Sequence, residues 1–196
     1  MTRAGPGAEP RPEPDARPEH PTDADGPSSR EAPVGRLILV DGTSGAGKTT
    51  LAESLAQTDG ARLVHMDDLY AGWDGLAHAT ATLERILTER ARGVSPRWRR
   101  WDWHTSDWGA EDSTAWTSAL VVEGCGSVTA VTARLADRVL WLDGPEPVRR
   151  ARILARDGDD SWWEDWRRQE AAHRIRHRPD LLATEHRKPS LDWPPT

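Results

Sequence analysis

The chain has 196 residues, 32 acidic and 26 basic side chains, a formal net charge of −6 and one cysteine. That length is enough to bury one sizeable core. The acidic balance argues against a non-specific nucleic-acid binder, and a lone Cys125 excludes an intrachain disulfide framework and fits a reducing, cytoplasmic setting.

Residues 1–33 hold eight of the fifteen prolines, no aromatic residue and no apolar run long enough to pack. Such composition predicts a disordered Pro-rich tail. No basic start followed by an apolar stretch marks it as a secretory signal, and no segment reaches the length of a membrane span. The folded domain is expected over residues 34–185, with a flexible tail at 186–196.

The first element after the tail is the apolar run Leu37–Val40, which reads as a buried strand. It leads into Gly42-Thr43-Ser44-Gly45-Ala46-Gly47-Lys48-Thr49, which fits the phosphate-binding pattern G-x-x-x-x-G-K-[ST]. Leu51 and Leu55 then fall four apart, on one face of a helix. Strand, glycine-rich turn and helix start form the setting the motif needs. Glycines let backbone N–H groups curl around a polyphosphate, and the helix N-terminus adds partial positive charge. Lys48 reaches the β/γ-phosphates, while the Thr49 hydroxyl, with Thr50 beside it, suits a phosphate-bound Mg²⁺. The cofactors implied are ATP and Mg²⁺. Lys48 is one of just two lysines in the chain.

Three more apolar runs follow, each ending in an acidic residue: Leu63–Met66 before Asp67, Leu120–Val122 before Glu123, and Val139–Leu142 before Asp143. Near-continuous apolar runs predict strands buried on both faces, as in a parallel sheet. Helical patterns at about 49–57, 75–92, 127–135 and 146–156 separate them, giving an α/β sandwich with helices on both faces of the sheet. A further helix over about 161–176 carries Trp162, Trp163 and Trp166 and reads as packing, as do most of the eleven tryptophans in a chain without Phe. Residues 180–184 suggest a short last strand. In an open parallel sheet, ligands bind beyond the carboxyl ends of the strands, so the acidic strand ends converge on the phosphate loop. Asp67 and Glu123 are read as functional carboxylates there. Asp41 and Asp143 are read as turn-formers, and Asp68 as a cap for the next segment.

Asp41 to Thr50, then His65-Met-Asp-Asp-Leu-Tyr70, then Val121-Val-Glu-Gly124, resemble the uridine kinase and nicotinamide riboside kinase group of P-loop kinases, as a divergent bacterial member. The resemblance spans about residues 36–156 and implies the three-layer P-loop NTPase fold. It implies that Asp67 approaches an acceptor hydroxyl, that Tyr70 lies beside it, and that Glu123 serves the metal. Arg100-Trp-Asp-Trp103 is similar to an acceptor-side element of some members, which places Arg100 and Asp102 among the substrate contacts. Arg149 to Asp157 resembles the lid helix, whose arginines clamp the transferring phosphate; Arg150 and Arg156 are the candidates. The second arginine of the usual lid pattern is missing after Asp157.

These residues together predict a phosphotransferase that moves the γ-phosphate of ATP to a hydroxyl of a small nucleoside-like metabolite. Its partner is that small-molecule acceptor, not a nucleic acid or a membrane. Two alternatives stay open: a nucleoside monophosphate kinase in which Arg97–Arg100 grip the acceptor's phosphate, and a non-catalytic ATP-binding module. His173 and His177 lie four apart but lack a third metal ligand. Asp157–Asp160 lacks the calcium-loop pattern, and Cys125 reads as packing.

Overall fold

The computed structural model describes residues 33–188, so the tail expected at 1–33 lies outside the described residues apart from Pro33, as does 189–196. The apolar runs form the strands: β1 (Leu37–Gly42), β2 (Arg62–His65), β5 (Leu120–Glu123) and β6 (Arg138–Leu142). Together with β7 (Glu185–Arg187) they make a five-stranded parallel sheet in the order β2-β5-β1-β6-β7. The fold is α/β, a parallel sheet with helices on both faces.

Alternation along β1 shows how the layers are assembled. Leu37 and Leu39 enter one core with Leu83, Ile86 and Leu87 of helix α2 (Leu76–Ala91) and Trp166 of helix α5 (Trp163–His177). Ile38 and Val40 enter the other with Ala52 and Ala56 of helix α1 (Lys48–Asp59). All four β1 side chains are essentially inaccessible, so each contributes roughly 1.5–3 kcal/mol of burial. Strand β1 is thereby pinned between β5 and β6, and its end, where the glycine-rich loop begins, has little freedom.

Helices α3 (Ala130–Leu135) and α4 (Glu146–Asp157) follow β5 and β6. α3 begins with a capping box in which the Thr129 hydroxyl accepts from Val131 and Thr132, and Thr132 returns a bond to the Thr129 N–H.

Two features depart from the sequence reading. Strands β3 (Arg97–Asp102) and β4 (Asp107–Ser113) form a separate antiparallel hairpin with an irregularity between Arg99 and Trp101. Its residues are largely charged and exposed, so no apolar run announces it. The last strand is not at 180–184. Arg178 in the left-handed region ends α5, Pro179 opens the short helix α6 (Pro179–Leu182), and β7 follows at Glu185–Arg187. An edge strand reading Glu-His-Arg needs no hydrophobic signature; the Arg138–Glu185 ion pair at 2.7 Å fastens it to β6.

Candidate active site

Because β1, β5 and β6 run in parallel, their carboxyl ends share one edge, and the loop 42–49 fills it. Gly42 takes φ 146°, and a Cβ there would lie 1.9 Å from the Leu142 carbonyl oxygen, so only glycine fits against β6. The Thr43 N–H donates to that same oxygen at 3.2 Å. The Thr43 hydroxyl and the Gly144 N–H both donate to Asp143 Oδ1, which makes Asp143 the turn brace it was read as. From behind, buried Arg149 donates to the Gly144 and Ser44 carbonyl oxygens at 2.9 and 2.8 Å and lies over the Trp163 ring. Gly45 presses so closely on the Arg149 backbone that a Cβ would meet its carbonyl at 2.5 Å. Gly47 then starts α1 with no side chain capping it. Uncapped N–H groups at a helix start are the donors an anion needs.

Lys48 is buried, and its Nζ donates to the Thr43 carbonyl at 3.0 Å and toward Cys125 Sγ at 3.3 Å. Burial opposes its charge, but the surrounding groups outweigh that and hold its pKa above the usual lysine value. Burial pushes the Cys125 thiol up to about 12, so at neutral pH it carries no charge. The carboxylates Glu123 and Glu170, and Asp41 to the extent that it is ionised, are therefore what keep Lys48 an ammonium.

Three strand-end acids take three different environments. Asp41 is fully buried and accepts from the N–H groups of Gly42, Gly126 and Val128 at 2.6, 3.1 and 2.9 Å; burial nevertheless raises its pKa to about 7. It shapes the turn after β5, in keeping with its reading as a turn-former. Glu123 is also buried, and its Oε1 accepts from the Thr49 hydroxyl at 3.2 Å and lies 2.7 Å from His65 Nδ1. That bond to Glu123 raises the His65 pKa. Asp67 opens into the cavity, yet the cavity walls surround it; poor solvation, and then the Glu123 charge, raise its pKa.

A cavity of about 1250 Å³ runs from Lys48 and Thr49, past Asp67, to an aromatic wall. Trp73 stacks on Trp162 at 4.7 Å and 15°, meets Trp103 at 5.0 Å, and stands edge-on to Trp166 at 6.3 Å. Trp103 Nε1 donates to the Asp67 carbonyl at 3.0 Å, which ties the hairpin to the segment bearing the carboxylate. Trp73 and Trp103 remain 49% and 38% exposed, so these indoles face the cavity and do not fill the core. That corrects the view of the tryptophans as mere packing.

The structure brings Ser44, Gly45, Gly47, Lys48, Thr49, Thr50, Asp67, Glu123 and Arg156 to this cavity; Gly42, Thr43 and Ala46 of the loop are not part of its lining, and three other candidates are separated from it. Arg150 is exposed and donates to Asp160 Oδ2 at 2.6 Å, away from the cavity lining; a neighbouring turn acid has captured it. Asp102 accepts from the N–H groups of His104 and Thr105 and closes the hairpin turn, as aspartates in turns commonly do. Arg100 pairs with Asp68 at 3.1 Å, so Asp68 holds the hairpin. Tyr70 lines the cavity but is almost wholly buried. Its buried hydroxyl donates to the Cys125 carbonyl at 2.8 Å, and its ring packs edge-on to Trp166. His173 contacts the Val128 carbonyl and stacks on His177; among the described residues no His/Cys/Asp/Glu cluster is arranged for a metal ion.

Sequence reasoning missed Arg149, His65 and Glu170. Glu170 on α5 accepts from both the Ser44 N–H and the Ser44 hydroxyl, at 2.8 and 2.7 Å. A signal for it did exist: Trp163, Trp166, Glu170 and His173 follow the 3-4-3 spacing of one helix face, and a carboxylate on an inward stripe needs a partner.

No protein-family model and no curated protein matches the chain. Solved structures do. A possible uridine kinase from Bacillus stearothermophilus superposes with a TM-score of 0.56 at 21% identity, covering 79% of this chain and 89% of that one. A candidate fructose transport system kinase from a Silicibacter species gives 0.55 at 16% identity, covering 85% and 93%. At these identities the likeness establishes the shared fold. Among the described residues no helix is long and apolar enough to cross a membrane.

Proposed function

We propose that the protein is an ATP-dependent phosphotransferase acting on a hydroxyl of a small, ring-bearing metabolite such as a nucleoside. The observation that carries this reading is the position of Asp67 in one continuous cavity, between the phosphate loop and the indole wall. A module that only bound ATP would need no carboxylate facing an aromatic second compartment.

Loop amides and Lys48 hold the triphosphate. The Thr49 hydroxyl and Glu123 carboxylate, 3.2 Å apart, are hard oxygen donors that suit magnesium shared with the phosphates. Magnesium bound there would neutralise phosphate charge. Asp67 accepts the proton of the attacking hydroxyl, and its raised pKa brings it nearer the working range of a base. Arg156, on the cavity wall, balances charge on the transferring group.

The nucleoside monophosphate kinase alternative needs cations at the acceptor end. Arg97 pairs with Glu111, Arg99 donates to the Trp108 and Gly109 carbonyls, and Arg100 pairs with Asp68. None lines the cavity, whose basic side chains, Lys48, Arg152 and Arg156, come from the loop and α4. That lining favours an acceptor without a phosphate.

The test is product identity after incubation with Mg·ATP and a panel of nucleosides, sugars, amino alcohols and nucleoside monophosphates. A phosphorylated product from an acceptor without phosphate is expected. Asp67→Asn should lower its formation roughly 10²–10⁴-fold with ATP affinity nearly unchanged. Turnover confined to monophosphates, or equal loss of ATP binding and transfer in Asp67→Asn, would overturn the assignment.

A further inference from the structure

We propose that Glu170 is a positioning residue that registers the phosphate loop against the acceptor wall. The inference rests on the nucleotide site proposed above and assigns a role to a residue outside its sequence motifs.

Three donors converge on one oxygen of Glu170. The Ser44 N–H and Ser44 hydroxyl lie 2.8 and 2.7 Å from Oε1, and Cys125 Sγ lies 3.2 Å from it. Ser44 is the third residue of the loop, and its carbonyl is held from the opposite side by Arg149 of α4 at 2.8 Å. The two peptide units flanking the Ser44 Cα are thus gripped by two helices: its N–H by α5 and its carbonyl by α4. Lys48 belongs to the same cluster, since its Nζ contacts Cys125 and Glu170 contributes to holding it charged.

The other end of this connection is the wall. Trp166 lies one helical turn before Glu170, on the same face of α5, and touches both Tyr70 and Trp73. Trp162, immediately before α5, stacks on Trp73. On the same α5 stripe, Trp163, Trp166 and His173 are buried. A leucine at 170 would join that stripe without the desolvation cost of a carboxylate. The residue present gives up that packing for bonds to the loop. Ordering of the loop by a triphosphate therefore passes through a hydrogen-bonded strut into the helix that carries the acceptor's aromatic surface.

The experiment uses the full chain as wild type, Glu170→Leu and Glu170→Gln. Nucleotide affinity is read with Mg and N-methylanthraniloyl-ATP. The wall is read by acrylamide quenching of tryptophan fluorescence with and without Mg and a non-hydrolysable ATP analogue, a Trp73→Phe background isolating the Trp73 signal. In the wild type the analogue should reduce Trp73 quenching. In Glu170→Leu the quenching change should disappear even at an analogue concentration that saturates the variant. Glu170→Gln, which keeps an acceptor oxygen, should restore part of it. A Glu170→Leu response equal to the wild type, or a parallel loss of affinity and melting temperature in both variants, overturns the positioning role. Wild-type binding with no wall response overturns the inference alone, whereas no wild-type binding of the nucleotide overturns the function proposal and this inference together.

Discussion

The two ends of the cavity are built from different materials. At the phosphate end, Gly42 to Thr49 are consecutive, the groups offered to a ligand are mostly backbone amides, and their geometry is fixed by a buried strand and a glycine that contacts β6. At the acceptor end, Trp73, Trp103, Trp162 and Trp166 come from a loop, a hairpin turn, a helix connection and a helix. Two of those rings are substantially exposed. On the function proposed above, the first end would be blind to the identity of what carries the phosphate, and the other could be retuned one side chain at a time. Anchoring and selection would then fall to separate parts of one cavity.

That division can be broken most severely at Lys48. Lys48→Ala should weaken nucleotide binding and turnover together, with turnover falling roughly 10³-fold, because the charge facing the phosphates is lost. A titration with Mg and a fluorescent ATP analogue, run beside the transfer assay, checks both. A variant that bound nucleotide as tightly as the wild type would mean that the loop does not anchor the phosphates.

The two former lid candidates sharpen the boundary between the ends. Arg156 lines the cavity although it also pairs with Asp157 at 2.5 and 2.8 Å. Arg156→Ala should cost roughly 10²-fold in kcat. Arg150→Ala removes an exposed pair with Asp160 and should change kcat by less than about twofold. Steady-state kinetics on both variants decides which side of α4 serves the transferring group.

Such pairs show what could be read in advance. Strands β1, β5 and β6 carry apolar runs because both their faces are buried, and edge strand β2 keeps a shorter one around Val64, so their places and the parallel sheet were visible in the sequence. The glycine-rich loop was visible because its backbone path requires glycines in a fixed pattern. Arg150 and Arg156 are indistinguishable by spacing and residue type; each pairs with a nearby acid, Asp160 and Asp157, and only the folded helix shows that Arg156 alone of the two lines the cavity. Asp102 sits between two tryptophans as a sugar-binding aspartate would, but the tight hairpin after it takes its carboxylate for the His104 and Thr105 amides. Glu170 lies 126 residues from its partner Ser44, a separation that no local pattern encodes.

At the acceptor end the effects should be selective. Trp73→Ala removes the ring at the centre of the wall, the one that contacts Trp103, Trp162 and Trp166. An aromatic contact is worth about 1 kcal/mol beyond its buried area. The acceptor KM should therefore rise roughly tenfold, while the KM for ATP stays where it was. Initial rates with each substrate varied at saturation of the other give both constants. Equal rises in the two would show that the wall supports the whole cavity and does not select the acceptor.

The smallest effect lies at the phosphate end and concerns stability. His65 bonds Glu123 at 2.7 Å, and that bond lifts the His65 pKa above its ordinary 6.5. A histidine with a raised folded pKa contributes stability that is fully present below pH 6.5 and is lost as pH rises through the raised value. The His65 side chain is 36% exposed, so solvent screens the pair and the contribution should be about 0.5 kcal/mol. Urea unfolding of the wild type and His65→Gln at several pH values should show the wild type more stable below pH 6.5, with the gap closing toward pH 9. A gap that widened with pH would mean that the neutral imidazole, not the imidazolium, is the form Glu123 holds.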